Sequence, residues 1–170
     1  MSKLNHDKQS FENLTCIKKT IDGKNVEIKK TSKDDTKDII NLALNTNELL
    51  TVTDNPCWYD ENTFNHLIED KNFRCYTMKV DSNFAGFFIY YYFSSIKEVF
   101  LACMAIHEEF RNKSYSNLFF ENCRKELNHD FNWIWTIVDT TNSPSQKMIE
   151  KQGYKRDNRK YYYYYKKDDA

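Results

Sequence analysis

Four residues suited to ordering an anion stand in a row in this chain, Arg111, Asn112, Lys113 and Ser114, with Tyr115 and Ser116 directly after them. Arginine and lysine bring charge and the serine hydroxyls bring donors, but position is what makes the group a candidate. Every residue from Val99 to Ile106 is apolar, and beyond the polar run Tyr115, Leu118, Phe119, Cys123 and Leu127 recur at helical spacing. A strand passing through a short turn into a helix puts the helix's unpaired first amides, and the positive end of its dipole, at the strand's carboxyl end. Phosphate is the commonest guest of such a turn. Glu98, which opens the apolar run, is a second candidate. Uninterrupted alternation puts it on one face with Phe100, Ala102, Met104 and Ile106, and a carboxylate so placed is suited to accepting a proton. His107 follows the strand, but a single histidine beside a helix terminus reads more simply as structural and stays outside the catalytic set.

The elements that must position these groups are legible along the chain. Residues 1–13 carry too little apolar content to bury and read as a disordered extension, leaving residues 14–170 as one domain. Asp22-Gly23 is a hairpin dipeptide between strands over 14–21 and 25–30. Ser32 and Asp35 form a capping-box pair at the start of a helix over about 33–50, with Ile39, Ile40, Ala43, Leu44 and Leu50 on its apolar face. Asp54-Asn55-Pro56 breaks the chain, and Asp60 caps a short helix bearing Phe64, Leu67 and Ile68. Strands follow at 73–80 and 84–93, joined by Asp81-Ser82-Asn83, and then comes the all-apolar strand, which reads as the middle of the sheet because neither of its faces suits water. After the helix that begins past Arg111, Trp133 to Val138 is again apolar apart from Thr136. Strand, helix, strand in that order implies a parallel pair with a right-handed crossover, and the ligand crevice then lies at the carboxyl ends, between Ile106 and Val138. Ser143, Pro144, Gln146 and Gly153 bracket a last helix. A further strand is expected from Tyr154, a turn at Asp157-Asn158 and a final strand over 160–166.

Composition excludes several classes of function. Lys plus Arg and Asp plus Glu each number 25, so no overall field draws the chain to nucleic acid or to an anionic membrane. Neither partner is expected. The tract Tyr161–Tyr165 has the rings of a base-stacking platform, yet alternation on a half-buried strand explains it more economically. Five cysteines, at 16, 57, 75, 103 and 123, form no C-x-x-C pair, which argues against a disulfide framework and against a zinc site. The polar first ten residues and the lack of a long apolar run point to a soluble, cytoplasmic protein.

Two motifs carry a family resemblance. Arg111, Ser114 and Ser116 fall on the fixed positions of the Q/R-x-x-G-x-G/A pyrophosphate loop, and the chain resembles the GNAT superfamily of acyl-CoA-dependent N-acetyltransferases there. Serine stands where that family prefers glycine, and a Cβ in a left-handed conformation costs roughly 1–2 kcal/mol. The second match follows the next strand, in the order N-x-x-S/A-x-x-L/M-x-E-K-x-G-F/Y, carried by Asn142, Ser145, Met148, Glu150, Lys151, Gly153 and Tyr154. The resemblance implies an α/β (α+β) fold: a GNAT-like mixed, mostly antiparallel central sheet of about seven strands, flanked by helices and splayed at one parallel pair. It implies acetyl-CoA as co-substrate, with no metal, held by Arg111, Asn112, Lys113, Ser114, Tyr115, Ser116, Asn142 and Ser145. The pantetheine would bond the backbone of Met104 and Ile106. It also implies an acceptor pocket shaped by the region of Trp58 and Tyr59, and it marks Glu98, thirteen residues before Arg111, as similar to the glutamate base of histone acetyltransferases.

Transfer to an amine requires the neutral form of the nucleophile. A lysine-type amine of pKa about 10.4 is neutral at pH 7 in only about one molecule in 2,500, a deficit of roughly 4.6 kcal/mol, whereas an α-amine near pKa 8 faces about 1.4 kcal/mol. A base such as Glu98 therefore matters more for the first. The family's usual proton donor is a tyrosine at the position of Ile149, and its absence leaves two expectations. One is an N-acetyltransferase acting on a small-molecule or peptide amine. The other is a degenerate relative that binds a CoA-like ligand or a protein partner. The acceptor's identity and homodimerisation stay open.

Overall fold

The computed structural model describes residues 16–46, 59–127 and 130–157, which fall into two compact units divided after Ile137. In the first unit, six strands lie side by side in chain order: β1 (Cys16–Ile21), β2 (Lys24–Lys30), β3 (Phe73–Val80), β4 (Asn83–Phe93), β5 (Glu98–Ile106) and β6 (Trp133–Thr136). Neighbours are antiparallel as far as β5, and β5 and β6 are parallel. Asp22-Gly23 and Asp81-Ser82 both take positive φ, the backbone twist that two-residue hairpins require. This is the mixed, mostly antiparallel α/β sheet expected, with six described strands. Residues Tyr154–Asp157 are not in a strand. The final strand expected over 160–166 and the N-terminal extension lie outside the described residues.

Helices cover both faces. α1 (Thr36–Leu44) and α2 (Glu61–Leu67) share a core with Phe73, Cys75, Phe87, Ile89 and Ala105. On the opposite face, α3 (Ser116–Leu127) brings Phe119 and Phe120 against Phe88, and Glu126 accepts the hydroxyl of Tyr90. Alternation along β4 sends Phe87 and Ile89 one way, Phe88 and Tyr90 the other.

Asp60 caps α2, its carboxylate accepting from the Thr63 amide at 2.7 Å. Ser32 and Asp35 close the expected capping box around a single 3-10 turn, Lys33–Asp35, that leads into α1. The buried Asp35 carboxylate also pairs with the Lys29 and Lys79 ammoniums at 3.1 and 3.4 Å. Burial alone would raise its pKa, but the hydrogen bonds from Ser32 and Lys29 hold it below the ordinary value.

Several expectations need correction. α1 ends at Leu44, with Asn45 and Thr46 outside it, and its inward face is Ile39, Leu42 and Ala43 while Leu44 is 58% exposed. An i, i+3, i+4 stripe continued from Ile39 passes through Leu42, not Leu44. The middle of the described sheet is not β5, because β4 is buried continuously from Ala85 to Tyr90 and β5 lies one strand from the edge. β6 stops at Thr136, short of Val138.

In the second unit α4 (Ser143–Lys151) is capped by Asn142, whose side-chain oxygen accepts from the Ser145 amide at 3.1 Å. The cap thus falls one residue before the expected Ser143. Gln146 turns its amide to the carbonyls of Asp139 and Thr140, both at 2.9 Å, so it closes no box with Ser143. No helix among the described residues is long and apolar enough to cross a membrane.

Candidate functional site

The site begins with an irregularity in β5. Ile89 faces Cys103 and Tyr90 faces Leu101, so Ala102 is the extra residue of a β-bulge. The bulge shifts the phase of the strand. Before it, Glu98 and Phe100 face the α1/α2 side with Phe93 and Tyr91, their partners on β4. After it, Cys103 and Ala105 take that side. Met104 pairs with Phe88, and so it and Ile106 turn toward α3. Glu98 therefore does not share a face with Met104 and Ile106, as uninterrupted alternation would have it.

The parallel ladder ends at the same level. β5 and β6 pair from Glu98↔Trp133 to Leu101↔Thr136, and the Thr136 hydroxyl donates to the Leu101 carbonyl at 2.9 Å. β5 then continues to Ile106 with only β4 beside it among the described residues. The His107 amide bonds the Ala85 carbonyl, on the β4 side, so by alternation the peptide groups of Met104 and Ile106 face the edge that β6 has left. Apolar side chains that the sequence would bury, Ala102, Met104 and Ile106 among them, are consequently only half-buried. Gly86 sits opposite Ile106, and a Cβ there would collide with the Ala105 carbonyl. Glycine thus sets the close β4–β5 spacing at the root of the following loop.

That loop passes through a 3-10 turn, Glu108–Phe110, and reaches α3 with two residues in the left-handed region, Asn112 at φ 62° and Ser114 at φ 59°. Asparagine visits this region readily; for serine the cost is roughly 1–2 kcal/mol. Alternation of ordinary and left-handed residues turns successive amides to one side as an anion-binding nest. The amides of Asn117 and Leu118 fold back onto the carbonyls of Ser114 and Tyr115, which leaves those of the residues just before them to an outside acceptor. Tyr115 is buried and anchors the turn, while Arg111, Asn112, Lys113 and Ser114 are exposed. Arg111 Nε donates to the Ile106 carbonyl at 2.8 Å, and Lys113 Nζ to the Glu109 carbonyl at 2.9 Å. The charges are therefore held over the loop by its own backbone, and one acceptor on Ile106 is already engaged.

Other predicted residues are dispersed. Glu98 stands three residues before Leu101, about 10 Å along the strand at roughly 3.3 Å per residue. Tyr59 and Cys103 both pack against the core cluster, and burial and Cys103 both raise the pKa of the Tyr59 hydroxyl. Trp58 lies outside the described residues. Asn142 and Ser145 belong to the second unit, where they form the cap of α4.

Sequence reasoning passed over two features. His107 lines a cleft of about 350 Å³ with Asp38 and Asn41 of α1, Asn45 just past its end and Arg111 of the loop, and its Nδ1 is buried without a hydrogen-bond partner among the described residues. Tyr91, Phe93, Phe100, Trp133 and Trp135 share one face of the sheet. Rings at period two on β4 and on β6 were the available signal.

The sequence profile of the Acetyltransferase (GNAT) family matches residues 37–154. A search of curated protein sequences finds no significant match. Among solved structures, the fold is similar to that of a ribosomal-protein-alanine N-acetyltransferase from Brucella melitensis biovar Abortus 2308, with TM-score 0.65 and 16% identity over 82% of this chain and 99% of that one. It is also similar to a possible acetyltransferase from Clostridium difficile 630, with TM-score 0.67 and 15% identity over 84% and 99%. Aminoglycoside N-acetyltransferase AAC(6')-Iy in complex with CoA gives TM-score 0.67 and 15% identity over 84% and 96%.

Proposed function

The chain belongs to the Acetyltransferase (GNAT) family, and from that premise we propose that it is an acetyl-CoA-dependent N-acetyltransferase acting on an amine of a small molecule or peptide. The observation that carries this reading is the loop between β5 and α3, where two left-handed residues bring backbone amides together beneath Arg111 and Lys113. A diphosphate fits that chemistry: it is anionic, and it has enough oxygens for the amides of the nest and for both cations. Hydroxyls of Ser114 and Ser116 add donors. The open edge at Met104 and Ile106 offers peptide groups suited to the amides of a pantetheine arm. Asn142 and Ser145 are assigned to the same ligand by their motif.

When bound, acetyl-CoA supplies an acyl group activated as a thioester. The chain's part is to hold the amine and relieve it of a proton. We assign the proton to the Glu98 carboxylate, reached directly or through water, since it lies on the strand that carries the open edge. Acceptors of both kinds are represented among similar structures, a ribosomal-protein acetyltransferase and aminoglycoside acetyltransferases. Trp58 and Tyr59 are assigned to the acceptor side.

A second reading is supported by Ser114, strained at φ 59° where a glycine would relax, together with Ile149 in place of the family's tyrosine. On that reading the protein binds a CoA-like ligand without catalysis. Calorimetry and thermal shift with CoA test the common ground of both readings, and neither survives if millimolar ligand produces no heat and no shift. Release of free thiol from acetyl-CoA with a panel of amines separates them.

A further inference from the structure

On the α1/α2 side of the sheet, next to the level at which β6 leaves β5, six side chains form two rows. Phe93, Glu98 and Trp133 are register partners across β4, β5 and β6, and Tyr91, Phe100 and Trp135 are the next row on the same face. The second row is a continuous stack: Tyr91 to Phe100 at 6.3 Å and 15°, Phe100 to Trp135 at 4.3 Å and 27°. Phe93 stacks on Tyr91 at 6.3 Å. A carboxylate thus sits in the middle of the outer row, with rings on either side and a wall of rings behind. The surface is open, for Trp133 is 70% and Phe93 38% exposed. Among the described residues no cation pairs with Glu98, and its neighbour Lys97 turns to Asp130.

We infer that this platform selects the acceptor, and that the acceptor is an organic cation: a protonated amine carried on a planar or apolar body. The ring faces present negative quadrupole to an ammonium and flat area to its hydrocarbon part, and Glu98 fixes the charged end. Anions meet the carboxylate and are repelled. The inference rests on the acetyltransferase reading, because Leu101, where the open edge begins, adjoins the stacked row.

Binding is testable without CoA, because Trp133 and Trp135 report from inside the platform. Indole fluorescence of the full chain is titrated with phenethylamine, hydrocinnamate and putrescine. Phenethylamine should bind saturably, at least tenfold more tightly than the anionic hydrocinnamate and more tightly than putrescine, which has charge without a ring. Glu98→Gln should weaken phenethylamine about fivefold and erase most of its preference over hydrocinnamate. Trp133→Leu, at an exposed position where folding is not at stake, should weaken both aromatic probes. Equal affinity for the cation and the anion overturns the inference, as does putrescine binding that ignores Trp133→Leu, or no saturable change with any probe. Thermal shift with CoA, run separately, keeps the two readings apart. Amine binding without a CoA shift sinks the acetyltransferase reading and leaves the platform; a CoA shift without amine binding does the reverse.

Discussion

On the α3 face of the sheet Tyr76 stacks on Tyr90 and Phe88 meets Phe119 and Phe120, all of them buried. On the other face Tyr91, Phe93, Phe100 and Trp135 stack just as closely and remain partly open. β4 supplies rings to both sets, and they meet different fates because of what lies over them. α3 has twelve residues, about 18 Å of helix, whereas α1 has nine and α2 seven, about 14 and 10 Å. Each face also carries a glutamate. Glu126 accepts from Arg74 Nε at 3.1 Å and from the hydroxyl of Tyr90, whose pKa burial has pushed up. Glu98 opens onto the uncovered platform. An aromatic sheet becomes core where a helix is long enough to roof it, and becomes a surface for ligands where it is not.

The sharpest test of that contrast is kinetic. If Glu98 takes the proton of a lysine-like amine, Glu98→Gln should lower kcat/KM by roughly 10²–10⁴-fold at pH 7. The loss should shrink as pH rises, because more of the amine is then neutral before it binds. A pH series of initial rates for both proteins decides it, and equal rates at every pH with a high-pKa acceptor would leave Glu98 only a strand-entry carboxylate. Next comes stability. Glu126→Ala should cost roughly 3 kcal/mol in urea unfolding, since it strands Arg74 and the Tyr90 hydroxyl in a largely buried site. Glu98→Ala should change it by about 0.5 kcal/mol or less. Similar losses for the two would erase the distinction between the faces.

Asp35 fastens α1 to the partly roofed face through Lys29 and Lys79. Asp35→Ala should cost roughly 2 kcal/mol at pH 7, less than at Glu126 because both lysines keep some contact with water. The depressed carboxyl pKa gives the pH dependence a sign. Its stabilisation is fully present above the unfolded value of about 3.9 and is lost as pH falls through the lower folded value, so wild type and variant should converge in acid. A smaller effect than at Asp35 is expected at the loop, where Ser114→Gly should stabilise by roughly 1 kcal/mol and preserve or tighten CoA binding. Loss of more than tenfold in affinity would mean that the hydroxyl makes the contact.

Much of this was legible in the residues. Asp22-Gly23, Asp60 and the Ser32–Asp35 pair carry their geometry locally, because each is a short-range hydrogen bond or a backbone preference. The turn from β5 into α3 was legible for the same reason. The bulge was not, for alanine has no bulge signature, and with it went the faces of Met104 and Ile106. Leu44 and Leu42 are equally apolar, so only the angle at which α1 meets the sheet separates them. Asn142 and Ser143 are both good caps, and composition does not rank neighbours. The platform was missed for a different cause: ring spacing is legible strand by strand, but its rows join residues as far apart as Tyr91 and Trp135, and register is a property of the assembled sheet.

Ala102 shows what kind of information such a chain must keep. At the bulge the side chain is small and unremarkable, and many residues would serve in its place. What the strand has there is one more residue than its neighbour. A deletion at this point would close the ladder with Cys103 still opposite Ile89 and Met104 still opposite Phe88, both halves of the strand facing as they do now. Absorbing Ala102 into the ladder is what would carry Met104 and Ile106 round to the platform side and turn their peptide groups back toward β4. The constraint is on pairing and not on identity. A position can thus be nearly indifferent to substitution while the register around it is not, and a scan by point replacement would pass straight over it.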